Sequence, residues 1–540
     1  MILAIYDITG IQRYVFSSNR MKENVGASLA VELALSEWLP ASINAALPEA
    51  KVVWDDGSPF MLPTMGTKAS VVYIGGGNAL VLYYDHDAYK QVNQEFSLML
   101  LEKTAGELSY AVSWIEVANP AQDIQIKDLF YRLMLAKARQ EPASPLLGIA
   151  ITREGSTDSL PAVHIELAAY RDGFREGSTD SLPAVHIEGD KYLSQNAKTK
   201  IDLSQEREVQ LCTKLDTQLK FPKLLDDLGM VEGENYIAVV HIDGNDMGSL
   251  IKDVASQGGG LKSQLANLRE MSLAISNKYI EVFRGMLGVL EHNQTLQEFQ
   301  RSFKLAGSGL LIRPLVVNGD DVTFVVDGRL GLPLGREFLK RLSADPVQIG
   351  GKERRLSACA GIAIVKAHFP FYRAYRLAEE LCASAKGKAQ ALEPDNKGCW
   401  IDWHIAQGGM AAGLDTIREK HYQVPGMANS FIMGADGFKT YNLLWRPWKV
   451  GGNGEFDFDH FLSLHKALAE IPRSRIKELR NLSIEGEVAV ETCIEAMAAR
   501  DYKLPEFGGD KEYFKSNHIT PYFDVIESGE MYYELQGGTQ

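Results

Sequence analysis

The five cysteines of the sequence, Cys212, Cys359, Cys382, Cys399 and Cys493, never fall into a CxxC pair. That leaves neither a zinc ribbon nor a disulfide framework, and a reducing setting follows. No apolar run approaches the ~18 residues of a membrane span. The N-terminal MILAIYDITG carries Asp7 where a signal peptide would need an apolar stretch, and no basic residue precedes it. The expected location is cytoplasmic, with no membrane partner. Positive charge is also short: 56 Lys and Arg against 70 Asp and Glu give a formal net charge of −14. A field of that sign repels phosphate backbones, which excludes unaided non-specific DNA binding and argues against a template-directed polymerase that grips a duplex.

What is present is the composition of a globular protein, since 45% of the 540 residues are hydrophobic and 23% charged. Periodicity organises the first part into a strand over Ile2 to Tyr6, a helical stretch from Ile11 to Leu39 and a hairpin from Ala69 to Tyr84 with three glycines at its tip. A strand over Ala111 to Val117 and a helix over Leu129 to Lys137 complete it. The order returns from Tyr236. There the apolar run YIAVVHI stops at Asp243, a helical pattern covers Leu261 to Leu290, and the hairpin LLIRPLVVNGDDVTFVVDG leads to the strand RLSACAGIAIV and the helix FYRAYRLAEELCASAKGK. Landmarks keep their distances: Asp7 to Gly77 is 70 residues and Asp243 to Asp320 is 77, while Gly77 to Lys137 is 60 and Asp320 to Lys386 is 66. The predicted fold class is α+β, with two diverged copies of one unit, each a four-stranded antiparallel sheet with helices on one face.

The copies occupy residues 1–150 and 231–395. Between them, residues 151–230 hold an insertion and a helical linker. The insertion contains a literal duplication, REGSTDSLPAVHIE at Arg153 to Glu166 and again at Arg175 to Glu188, whose turn-rich composition suits a surface excursion without chemistry. Residues 396–540, with WIDWHIAQGG, LLWRPWKVGG and the helical patterns FLSLHKALAEI and IEGEVAVETCIEAMAAR, are expected to form a mostly helical C-terminal domain. His404, Arg418, Trp445 and Trp448 read as core residues, and His241 as a satisfied strand histidine.

Two motifs carry chemistry. In HIDGNDMGSL a strand ends and a helix begins; Gly244 and Gly248 let backbone N–H groups approach an anion, and Asp243 and Asp246 offer oxygens to a divalent cation. Asp-Gly-Asn-Asp is equally good turn chemistry. In Asn318-Gly319-Asp320-Asp321, Asn-Gly accounts for the hairpin turn but not for two adjacent carboxylates, which repel each other unless a cation lies between them. A strand end and a central hairpin tip are neighbours in such a sheet. Asp243, Asp320 and Asp321 would then converge, with oxygens enough for two Mg²⁺ or Mn²⁺ ions ~3.5–4 Å apart, an arrangement suited to phosphoryl transfer. Lys386 and Lys388 could give positive charge to a triphosphate, although a lysine there also complements a helix dipole.

These motifs resemble those of the large polymerase-like subunits of type III CRISPR effector complexes, which have paired palm domains and a GGDD motif. The resemblance is carried by DGNDMG at 243–248, NGDD at 318–321, SACAGIAIV at 357–365 and AYRLAEELCASAK at 374–386, with YDITGIQRYVF and YIGGGNALVL in the first copy. It implies two ferredoxin-like palm domains and conversion of ATP into a cyclic nucleotide or cyclic oligonucleotide signal in antiviral defence. It further implies Asp243, Asp320 and Asp321 as catalytic metal ligands, and a nucleotide-binding set of Gly244, Asn245, Asp246, Met247, Gly248, Asn318, Gly319 and Lys386. Asn318 replaces the first glycine of GGDD, Asn245 stands where many members have Asp, and the first copy has Gly75-Gly76-Gly77-Asn78, as in a degenerate partner palm. Neither the HD nuclease domain nor the cysteine-ligated zinc insertion of typical members is recognisable, so no DNase activity is expected. Protein partners or self-association, and RNA as activator, complete what the resemblance implies. The alternative from another class is a non-catalytic scaffold or sensor that binds nucleotide or RNA.

Overall fold

A computed structural model of the chain describes residues 1–16, 18, 20–49, 59–104, 106–121, 126–139, 152–154, 161–164, 186–188, 191–193, 195–218, 220–228, 235–303, 309–406, 413–425, 440–452, 454–509 and 511–537. Much of the duplicated segment lies outside the described residues.

In the first copy, β1 (Ile2–Thr9), α1 (Met21–Leu33), the hairpin β2 (Ala69–Gly75) and β3 (Asn78–Tyr83), α2 (His86–Thr104), β4 (Ser109–Glu116) and α3 (Ile126–Arg139) follow in turn. A linker helix, α4 (Gln195–Lys214), leads to the second copy. This comprises β5 (Tyr236–Gly244), α5 (Met247–Ala255), the long α6 (Gly260–Gln294), the hairpin β6 (Ile312–Asn318) and β7 (Asp321–Asp327), α7 (Gly331–Ala344), β8 (Ala358–Lys366) and α8 (Phe371–Leu392). The first sheet has the order β2-β3-β1-β4, and the second begins β6-β7-β5-β8, which is the same topology. Even the irregularities correspond: the hairpin register slips at the third residue of β2, between Val71 and Tyr73, and at the third residue of β6, between Pro314 and Val316.

Three expectations need correction. The second sheet is six-stranded rather than four-stranded, because β9 (Cys399–Ile405) pairs parallel to β8 and β10 (Trp448–Val450) pairs with β9. The boundary expected at residue 395 therefore falls inside a sheet, and helices such as Phe458–Leu468, Arg473–Ser483 and Glu487–Ala498 follow it. Each copy also has a helix between hairpin and last strand, α2 and α7, that the expected order omitted. Finally, helices cover both sheet faces. In the second copy Ala238, Val240 and Ile242 of β5 share a core with α6 and α7, while Ile237 and Val239 share another with α8. The first copy repeats this, with α1 and α2 on one face and α3 on the other. The two cores are exchanged: the α8 face of the second sheet merges with the α1–α2 core of the first copy, and the α3 face of the first sheet with the α6–α7 core of the second. Burying apolar area on both faces explains why the β5 run YIAVVHI shows no polar alternation.

Among the described residues no helix is long and apolar enough to cross a membrane. All five cysteines are free. His404, Trp445 and Trp448 are buried, and Asp402 accepts two 2.7 Å bonds from Arg418.

Candidate active site

The site lies at the end of β5, where the strand stops being apolar. Pairing sets Asp243 directly opposite Asp321 on β7 and Cys359 on β8. Asp320 occupies the hairpin turn beside them, and its backbone carbonyl accepts from Gly244 N at 3.2 Å. Helix α8 supplies the cation. Its row Ala374, Ala378, Cys382 continues at four-residue spacing to Lys386, and the helix lies so close to β8 that a Cβ on Gly361 would stand 1.9 Å from Ala378 O. Lys386 Nζ consequently donates to Asp243 Oδ2 at 2.6 Å and to Gly244 O at 2.9 Å.

The first copy closes the site. Its hairpin tip abuts that of the second: Gly319 has φ +60°, and a Cβ there would lie 3.1 Å from Gly76 N. A cavity of about 550 Å³ results, lined from the second copy by Asp243, Met247, Gly319, Asp320, Asp321, Glu379 and Lys386 and from the first by Gln12, Tyr73, Gly75, Gly76 and Asn78. Gln12 donates to Glu379, tying the copies together across the mouth. Gln12, Tyr73 and Glu379 were not anticipated from sequence.

Electrostatics sets this cavity apart. Burial, reinforced by Asp243, raises the Asp320 carboxyl to about 6. Burial also drives Asp321 well above the usual carboxylate range, with Asp243, Asp320 and Glu379 adding repulsion. Asp321 Oδ1 is buried without a hydrogen-bond partner, although the Asp321 side chain as a whole is 40% exposed at the cavity wall. His241 Nδ1 lies 3.5 Å from that oxygen, but burial lowers its pKa to about 4, and its hydrogen bond at 3.1 Å is with Thr323 Oγ1. It therefore brings no positive charge at neutral pH. For Lys386 burial opposes the charged form, but Asp243 outweighs it and the net pKa is raised.

The remaining expected residues separate. Asp246 has φ 57° at the start of α5 and pairs with Lys397. Asn245 is consumed structurally, with Nδ2 donating to Ser357 Oγ (3.1 Å) and Gly398 O (3.0 Å) and Oδ1 accepting from Cys359 Sγ (3.4 Å). Gly244 is packed against Asp320, whose Cβ would be 2.9 Å from an added methyl. Gly248 faces a neighbouring cavity with Lys127 and Tyr131, and Asn318 a small one with Glu32 and Arg207. Lys388 does not join Lys386; its ammonium sits 3.8 Å from the centre of the Phe456 ring.

A hard divalent cation fits the donor chemistry, because carboxylates with raised pKa and an orphaned Asp321 Oδ1 lack positive charge. Among the described residues, however, no three metal-ligating side chains are gathered into a ready-made cage. Lys386 holds the Asp243 oxygen instead.

No family model matches the chain, and no curated protein is similar to it in sequence. Solved structures are. The Csm1-Csm4 subcomplex of the type III-A CRISPR-Csm interference complex matches with a TM-score of 0.52 at 13% identity, and Csm1 from T. onnurineus with 0.51 at 13%. The Csm1-Csm4 cassette in complex with pppApA gives 0.52 at 14%. Each match covers 98% of this chain and 69% of the other. With nearly complete coverage at these TM-scores, the chain has the fold of Csm1.

Proposed function

We propose that the chain is a palm-type nucleotidyltransferase that converts a nucleoside triphosphate, ATP first among them, into a cyclic nucleotide or cyclic oligonucleotide. The observation that carries this reading is the convergence of Asp243, Asp320, Asp321 and Lys386 on one cavity between two palms. The similar Csm1-Csm4 cassette has been solved with cA4 and with pppApA, which supports the substrate class. Asp243, Asp320 and Asp321 would hold Mg²⁺ or Mn²⁺. When bound, the metal lowers the pKa of a ribose hydroxyl and neutralises the triphosphate. The chain's own residues do the rest. Asp243 gives up its contact with Lys386, whose ammonium then meets phosphate oxygens by charge-assisted hydrogen bonds. The abutting tips and Gln12 hold the reacting groups in place, and positioning supplies much of the rate. The ribose hydroxyl oxygen bonds to the α-phosphorus, the bond to pyrophosphate breaks, and the hydroxyl proton leaves to solvent.

The test is incubation of purified protein with each NTP and Mg²⁺ or Mn²⁺, with mass spectrometry of products and a pyrophosphate assay. Asp320→Ala with Asp321→Ala keeps the Asn318-Gly319 turn, so folding survives and pyrophosphate release is lost. Equal release from parent and folded double variant sinks the proposal. The scaffold reading, favoured by the self-sufficient Lys386–Asp243 pair, requires no NTP consumption by the parent.

A further inference from the structure

A second cavity, of about 630 Å³, opens where α1, the linker helix α4, the start of β6 and the turn after β8 meet. Although the chain carries a net charge of −14, the lining holds Arg20, Lys22, Lys223 and Arg313 against one acid, Glu208. Arg20 is paired with Glu23 at 3.0 Å. Arg313 is different. It is 4% exposed, its Nε and Nη1 are buried without a hydrogen-bond partner, and among the described residues it forms no ion pair. The guanidinium lies 5.9 Å from the centre of the Phe221 ring. Burial lowers its pKa to about 10, with Glu208 offsetting only part of that effect.

A desolvated guanidinium with open N–H groups is costly unless an anion meets it, and its planar fork suits a phosphate. The same lining also includes apolar side chains, Leu225 and Phe369 among them. Arg313 is the second residue of β6 and Asn318 its last, so five residues, or ~16 Å of strand, separate Arg313 from the start of the hairpin tip that carries the carboxylates. We propose that this cavity is a binding site for a small phosphate monoester with a flat or apolar body, of the nucleoside monophosphate class, whose phosphate meets Arg313 and whose body lies on Leu225 and Phe369.

Calorimetry of the full chain in EDTA, which silences divalent-dependent binding at the carboxylates, tests this with AMP, inorganic phosphate and adenosine as probes. AMP should bind at least about tenfold more tightly than either fragment, because only AMP engages both Arg313 and the apolar part of the lining. Arg313→Met, with folding checked by circular dichroism, should weaken AMP at least about tenfold, and Asp320→Ala with Asp321→Ala should leave it unchanged. If Arg313→Met does not fold, Lys223→Glu on the exposed rim carries the test, with an expected loss of about threefold or more. The proposal is overturned by any of four results: no AMP binding by the parent up to ~10 mM, adenosine binding as tightly as AMP, unchanged AMP affinity in the folded variants, or loss of AMP binding in the carboxylate double variant.

Discussion

The two palms share the order of their four central strands and a strand-end Asp–Lys pair, and they differ in the side chains at the hairpin tip. Asp7 opposes Asn78 as Asp243 opposes Asp321, and Lys137 Nζ lies 2.7 Å from Asp7 Oδ1 as Lys386 Nζ lies 2.6 Å from Asp243 Oδ2. Gly76-Gly77-Asn78 stands where Gly319-Asp320-Asp321 stands. The first palm thus keeps the strand-end acid and its lysine without the hairpin acids. An Asp–Lys pair on this frame is compatible with structure alone, and the second palm is set apart by the two carboxylates whose protonation burial has shifted.

The largest expected effect separates the two strand-end acids. Asp243→Asn should reduce pyrophosphate release by about 1,000-fold or more, whereas Asp7→Asn should leave it within about tenfold. Equal losses would erase the functional difference between the palms. Next come the lysines. Lys386→Met should raise the KM for triphosphate by about 10- to 150-fold through one lost charge-assisted contact, and Lys137→Met, which breaks a pair exposed only on its lysine side, should leave KM unchanged and alter stability by about 1 kcal/mol. Steady-state kinetics and urea unfolding measure both. A third effect concerns the touching tips. Gly319→Ala and Gly76→Ala, both at positive φ, should each cost about 1–2 kcal/mol in urea unfolding; unchanged stability would mean that the tips can part freely.

The smallest effect is a pH dependence that arises at the hairpin tip of the second palm, where the first palm has no acid. Asp320, at about 6 in the folded chain against an ordinary 3.8, binds its proton more tightly when folded. Its contribution to stability is therefore full below about pH 4 and is lost as pH rises through 6. The metal-free protein should be more stable at pH 5 than at pH 7 by about 1 kcal/mol from this group, and Asp320→Asn should flatten the profile. No change in slope between parent and variant would place the Asp320 carboxylate in water.

Much of this frame was legible in the sequence, because β5 is an apolar run that stops at an acid and the NGDD tip marks its hairpin. Helix α2 was missed although Ala88, Val92, Phe96 and Leu100 recur at four-residue spacing and are buried, a periodic signal that was available. Strand β9 is hidden for a physical reason: Asp402 and His404 interrupt its apolar run, and their side-chain partners, Arg418 and Tyr422, come from beyond the strand. The contributions of Gln12 and Tyr73 to the cavity depend on how the copies exchange cores, which no local pattern encodes.

The contact between the hairpin tips also bears on how a duplicated gene diverges. A Cβ on Gly76 would already lie 3.6 Å from Asp320 Oδ1. Had the first tip kept acids of its own, four carboxylates would share one small volume, each raising the others' proton affinity and none able to ionise freely at neutral pH. Two equal clusters of ionised acids could not coexist at this spacing. The acid-free tip of one twin therefore spares the carboxylates of the other a further rise in proton affinity.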